Sequence, residues 1–493
     1  MGLNGNDFTC KSHHFALNLQ HTTSQAKKQK CMEKMKVTKT SILGSDSKGV
    51  ICPTLRRVKQ LLRGTNMKRN TTILYFLLLI GIISGCTEKG RRNSLRPLSE
   101  GSFDKEYQQH WVITDDSVKP FEVVREDKCI QVELPSKLPY SDLDTIFSSY
   151  KLIPLETSEE FLIGNIDRII KCPGCYCIQD RENANVFIFE ENGKFRCKLG
   201  NKGHARNEHL DAWSIAYDEK NEQIVLLDLT GRRLLSYDLM GNLKKVASLF
   251  FLYHDMAFLG DNILCKTGSA HNSFSDIIDL SRLVLADKMG KPIRRGFPIT
   301  EMRRGRFTYG DDMTQYKDKA YFTDLLSDTI WEVSGKEMAP ILNMTVNGSQ
   351  RFSKDEKENI TSKSYEMRNA KQPHTIQIHI SSEYIALPVS IPRAGGLIAL
   401  MLISRKSNRQ KFVGISTNHT RNHTRLDSYL PTTGPDGFAD DSTLIYTIQP
   451  NTILLGASNT PIKDHLSKEE RELLKNLKPN DNPVLLLERL IDF

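Results

Sequence analysis

The chain has 493 residues, 39% of them hydrophobic and 26% charged, with a formal net charge of +9. That length exceeds one ordinary compact core and calls for several domains, a repeat architecture or removable ends. Residues 1–66 hold twelve Lys/Arg against three Asp/Glu, and the rest of the chain holds 56 of each sign, so the body lacks the clustered positive field that phosphate binding needs and no nucleic-acid partner is expected.

Residues 1–66 are Lys-rich, lack a sustained apolar period and carry scattered Cys10, Cys31 and Cys52. At Met67 the texture changes. Lys68 and Arg69 precede an apolar run from Ile73 to Ile83, then Ser84, Gly85 and Cys86. The run is far short of the ~20 residues a membrane-spanning helix needs, so residues 67–85 read as an export signal. Ile83-Ser84-Gly85-Cys86 resembles the lipobox of bacterial lipoproteins, which implies cleavage before Cys86 and a lipid on its sulfur. A signal starting at Met67 makes residues 1–66 an upstream extension from an early start codon; a genuine cytosolic extension is the alternative. Export would place Cys129, Cys172, Cys175, Cys177, Cys197 and Cys265 where disulfides form, with the pairing open.

Residues 86–128 are polar and read as a lipidated tether. From residue 129 short Val/Ile/Leu/Phe/Tyr runs alternate with turn residues, the texture of an all-β array. Tyr176–Asp180, Val186–Phe189 and the turn ending at Gly193 recur 48 residues later as Ile224–Asp228, Leu234–Tyr237 and the turn ending at Gly241. Weaker copies follow at Asn262–Cys265 with Leu283–Ala286, and at Tyr321–Asp324 with Thr329–Val333. Two more rest on pattern alone: Tyr384–Val389 with Leu397–Ser404, and Leu444–Ile448 with Ile453–Leu455. A four-stranded sheet cannot bury both faces alone, whereas sheets packed radially about an axis can. The repeat length predicts a six-bladed β-propeller over residues 129–493. Strand-end Asp residues are expected to cap turn amides. Ser467 with Glu470 opens a short C-terminal helix packed on the rim, and Tyr150–Pro154 and Val484–Leu487 are expected to close the last blade together.

Ile153-Pro154-Leu155-Glu156-Thr157 leading to Ile163-Gly164-Asn165-Ile166, the repeats with their Gly turns, Asp328-Thr329-Ile330-Trp331 and Asp481-Asn482-Pro483-Val484-Leu485 resemble a family of six-bladed β-propeller lipoproteins of Gram-negative anaerobes with NHL-like repeats. The resemblance spans about residues 129–493. It implies a fold and an address, lipid-anchored at the outer membrane and facing the periplasm or the surface, more than an activity. Where that family carries a Gly-x-Gly-Pro-Gly-Glu-like loop, this chain has Gly203-His204-Ala205-Arg206-Asn207-Glu208, without the Pro-Gly.

Candidate chemistry is sparse. Cys172-Pro173-Gly174-Cys175-Tyr176-Cys177 has a zinc-like gap but no second ligand pair; buried thiols, a disulfide within Cys172, Cys175, Cys177 and Cys197, and a metal stand as three readings. His204, Arg206, Glu208 and His209 form a possible ligand-binding loop, or a solvated connection between blades. Arg303, Arg304 and Arg306 before Asp311 and Asp312 read as a mixed-charge face or a ligand clamp. No zinc-protease helix, nucleophile elbow, phosphate loop or EF-hand occurs, so no catalytic residue, metal or cofactor is assigned. The expected role is binding or scaffolding, with a glycan, peptide or envelope protein as partner; a hydrolase or lyase, and a structural subunit of an envelope complex, are the alternatives.

Overall fold

A computed structural model describes residues 113–124, 129–138, 140–267, 272, 274–299, 312–323, 328–359, 362–392, 397–416, 434–458 and 466–493. Residues 1–66, the signal at 67–85, Cys86, Arg303, Arg304, Arg306 and Asp311 lie outside the described residues.

Six antiparallel sheets stand as blades around one axis. Blade 1 runs through Arg168–Cys172, Cys175–Asp180, Asn185–Glu190 and Phe195–Lys198, and blade 2 through Ser214–Asp218, Gln223–Asp228, Arg233–Asp238 and Leu243–Ser248. Blades 3, 4 and 5 begin at Asp255, Asp312 and His374, and blade 6 at Gly437. The middle strands of blades 1 and 2 are buried on both faces, which is why their sequences read as continuous apolar runs, while their outer strands are half-buried or exposed throughout. Gly193, Gly241 and Gly290 all take φ between +82° and +84° in the last hairpin of blades 1, 2 and 3, the left-handed backbone a side chain resists. The expected Asp caps are present: Asp180 accepts from the amides of Gly164 and Asn183, and Asp228 from those of Gly231 and Asp211.

The innermost strands touch in a closed ring, 168–172 to 214–218 to 255–259 to 312–316 to 379–380 to 437–438 and back to 168–172. Closure joins the two ends of the propeller. Val484–Leu490 lies between Thr443–Ile448 and Phe147–Pro154, so the third strand of blade 6 comes from the carboxyl end and its outer strand from the amino end. Pro154 ends its strand and Pro483 precedes one, where a missing amide costs no ladder bond. The sixth copy differs from expectation in one respect: Ile453–Leu455 belongs to the helix Pro450–Ser458, and Val484–Leu490 takes the strand position it was given. The capping-box helix is present at Lys468–Asn476, with Leu474 and Leu477 against the blade 6 core and the Tyr150 hydroxyl donating to Glu470.

Upstream of blade 6 the chain forms a belt around the outside of the ring. Lys119–Pro120 pairs in parallel with the outer strand of blade 3; Glu122–Val123 and Ile130–Glu133 pair with that of blade 4. Tyr140–Ser141 pairs with Ile415–Ser416 beyond blade 5, and the chain then enters blade 6. Packing thus begins before residue 129, within the stretch expected to be tether. A strand added to a sheet edge needs few apolar side chains, and here Val118 and Phe121 supply them, so a polar composition masked it.

Candidate functional site

The inner strands all run the same way, so their first residues gather at one end of the axis. At this mouth stand Arg168, Ser214, Asp255 and Asp312, each opening its strand; in blade 5, whose inner edge begins at His374, His379 lies further along toward the turn into Tyr384–Ile391, and Asp436 directly precedes the inner strand of blade 6. Arg168 makes a bidentate pair with Asp255, both contacts 2.8 Å. Ser214 donates to the same carboxylate at 2.6 Å, and the Lys266 ammonium lies 3.8 Å away. Burial opposes ionisation of Asp255, yet Arg168, Lys266 and the hydroxyl overcome it and hold the acid far below the usual carboxylate range.

The other carboxyls behave differently. Burial pushes Asp312 up although Lys266 and Arg168 oppose it, and its Oδ2 accepts the Ile378 amide at 2.5 Å. Asp436 is pushed up to about 6 by burial. His254 and His379 are pushed down to about 4, again chiefly by burial, and the Nε2 of each is buried without a hydrogen bond. Both imidazoles are therefore neutral at pH 7. Trp213, directly before Ser214, lies 5.5 Å from the His254 ring, and the Arg181 guanidinium sits 5.6 Å above its indole. The mouth thus offers one locked ion pair, a carboxyl raised by burial at Asp312, a neutral imidazole at His254 and an indole. Connections from the second to the third strand, and from each outer strand to the next blade, leave at this same end. All α-helices among the described residues lie in such connections: 276–279, 354–359, 362–369, 450–458 and 468–476.

The loop expected to bind ligand does not converge. His209 is buried and its Nε2 meets the Ala184 carbonyl at 2.8 Å; burial lowers its pKa. Glu208 folds back to accept the Ala205 amide, while His204 and Arg206 are exposed. Four residues suited to chemistry lie close in sequence, with His209 turned into the core and His204 and Arg206 exposed. Asp312 of the expected mixed-charge face is at the mouth. Arg168, Trp213, His254, Asp255, Lys266, His379 and Asp436 escaped the sequence reading. Arg168 and Asp255 open an inner strand, Trp213, His254 and Asp436 stand directly before one, Lys266 ends the neighbouring strand of blade 3, and His379 lies along the inner edge of blade 5, so they share no fixed spacing.

Among the cysteines, Cys172 and Cys175 are cross-strand partners in the first hairpin of blade 1, and with Cys177 they face blade 2 while Tyr176 points the other way. All are thiols. A hydrogen bond from Cys172 lowers Cys175 to about 7 against the effect of burial, with help from Arg196 and Lys171; Cys172 rises correspondingly. No cluster of three or more metal-ligating side chains occurs among the described residues. Nor is any helix among them long and apolar enough to cross a membrane.

Fold and mouth together define a six-bladed β-propeller with a polar axial site. The family profile described as "Domain of unknown function (DUF4934)" matches residues 128–488, and the chain belongs to that family. No curated protein matches the chain. Among solved structures, a Bacteroides fragilis protein provisionally described as exported is similar at 17% identity and a TM-score of 0.60, covering 74% of this chain and 100% of its own. A member of the duf4221 family from Bacteroides vulgatus is similar at 9% identity and a TM-score of 0.39, covering 70% of this chain and 97% of its own. Virginiamycin B lyase from Staphylococcus aureus is similar at 11% identity and a TM-score of 0.34, covering 70% of this chain and 100% of its own. The first likeness bears on fold; the other two support nothing further.

Proposed function

We propose that this chain is an exported, lipid-anchored binding propeller that takes a glycan at its axial mouth. The observation that carries the reading is the meeting of Arg168, Ser214, Asp255 and Asp312 from the inner ends of blades 1 to 4, with the Trp213 indole against His254 beside them. A neutral imidazole, a carboxyl raised by burial and a guanidinium suit hydroxyl-rich ligands, and the indole adds an apolar face for a sugar ring. Asp255 is committed to Arg168 and Ser214, which favours positioning over proton transfer. Screening the purified protein against immobilised glycans and peptides tests this reading. Trp213→Ala is expected to weaken glycan capture at least about tenfold, the size of one lost stacking contact. Capture of peptides alone, or glycan capture indifferent to Trp213, would refute it.

The address rests on the segment from Met67 to Cys86, with the Bacteroides likeness as support for a fold found in a protein of similar description. Mass spectrometry of membrane-extracted protein should find Cys86 as the amino terminus carrying diacylglycerol, and Cys86→Ser should release a folded propeller from membranes. An unmodified Cys86 in a chain beginning at Met1 would contradict the anchor.

A second reading, a hydrolase or lyase, is favoured by one observation. Asp312 is a carboxyl raised by burial beside two cations at the mouth, the setting of a general acid. Turnover of a captured glycan, lost in Asp312→Asn while binding persists, would decide for it.

A further inference from the structure

Blades 1 and 2 are related by a 48-residue offset through their two outer strands, since Ile188 pairs with Cys197 as Ser236 pairs with Lys245. That offset allows the faces they present to the next blade to be compared position by position. Blade 1 offers Ile188, Cys197 and Leu199 to blade 2, and the interface is closed, with Ile188 and Leu199 fully buried. At the same positions blade 2 offers Ser236, Lys245 and Ala247 to blade 3. Two large aliphatic side chains are replaced by small ones, and a thiol by a long cation. The result is a cleft of about 540 Å³ between blades 2 and 3, within the range of small-molecule sites.

The far wall is apolar, built from Phe258 and Ile263 of blade 3. Phe250 forms one lip. It is half-buried and lies across the turn at Gly290, where an added Cβ would meet its ring at 2.5 Å. Met289, 67% exposed, adds a soft apolar edge beside it. Two exposed ammonium groups stand at the entrance, Lys245 and Lys288. Lys245 forms no ion pair with any described residue, whereas neighbouring Lys244 is held by Asp238 at 2.9 Å. A half-open cleft with an apolar far wall and an uncommitted cation at its mouth matches an aliphatic chain ending in a single anion; the two carboxylates that also line it, Asp218 and Asp261, are held by Asn221 and Lys220.

We propose that the cleft between blades 2 and 3 binds a free alkyl carboxylate, chain inward, with the carboxylate at Lys245. This site is separate from the axial mouth and does not depend on the reading given above. The assay is calorimetric titration of the full protein with octanoate, decanoate, dodecanoate and decanol, each below its micelle concentration. Affinity is expected to rise roughly fourfold with each methylene until the slot is full. Decanol, and decanoate with Lys245→Glu, should both bind roughly two- to fivefold more weakly than decanoate with the parent chain, as befits an exposed charge pair. Ser236→Ile with Ala247→Leu restores the blade 1 side chains and should abolish binding without lowering the unfolding midpoint; Ala247→Leu alone serves if the pair does not fold. Absence of binding at every chain length, undiminished binding in the filled variant, or decanol binding as tightly as decanoate would each overturn the proposal. Adhesion to phosphatidylglycerol vesicles with no uptake of free alkanoate would overturn the choice of ligand.

Discussion

Deleting residues 481–493 is expected to abolish the cooperative unfolding transition, not merely to lower its midpoint. The segment contains Val484–Leu490, which is hydrogen-bonded on both sides within blade 6, so its removal unpairs two strands at once. Val484, Leu485, Leu486 and Leu490 are buried, and burial of such side chains contributes about 1.5–3 kcal/mol each. Their loss alone approaches the whole stability of an ordinary domain, about 5–15 kcal/mol. Phe147–Pro154 would then have no partner, and the seam between the first and last blades would open. Calorimetry of the truncated chain, with dye binding to report exposed apolar surface, is the measurement. A sharp transition at the parent temperature would show that the ring closes without this strand.

The second large effect is expected at the Arg168–Asp255 pair. Arg168→Ala leaves a buried carboxylate with Lys266 at 3.8 Å, the Ser214 hydroxyl and the Met256 amide. Breaking a buried pair from one side costs about 3–5 kcal/mol, and the remaining lysine should bring this variant to the lower end. The sign of the pH dependence follows from the depressed acid. Asp255 titrates below its unfolded value of about 3.9, so its contribution is complete above about pH 4 and is lost as pH falls toward the folded value. Asp255→Asn should therefore be destabilised at pH 7 and show a shallower loss of stability below pH 4 than the parent. Urea denaturation at pH 7, 4 and 3 measures both. An Arg168→Ala variant within about 0.5 kcal/mol of the parent would mean that the pair stabilises nothing.

The fold was legible where each blade repeats its own chemistry. Val186–Phe189 and Leu234–Tyr237 each alternate between the two interfaces of their own blade and lead into a glycine turn of the same kind, so the offset survives in the sequence. Blade 6 hid its third strand because a helical insertion separates Ile448 from Val484, and the short apolar run Ile453–Leu455 has the length of neither a clear helix nor a clear strand. Ring closure was nonetheless readable, since Tyr150–Pro154 and Val484–Leu487 were strand-like segments with no place in a tandem copy. The mouth was not readable for a related reason. Inner strands begin at 168, 214 and 255 and then at 312, so loops of unequal length shift Arg168, Asp255 and Asp312 out of any fixed period. In the loop from His204 to His209, adjacency along the chain brought four titratable residues together, while the backbone sends His209 into the core and leaves His204 and Arg206 exposed.

The belt has a consequence for the order in which the molecule can assemble. Its strands are synthesised first, yet every sheet they join is made later, and Tyr150 waits for Glu488, about 340 residues downstream. A nascent chain therefore emerges with edge strands that have no template, while blades 1 and 2 can already form from local hairpins. Long-range pairing of this kind is slow and leaves hydrogen-bonding edges open to other chains in the interval. Ring closure is thus a post-synthetic step, timed by arrival of the final strand, and the earliest-made segment is among the last to find its place.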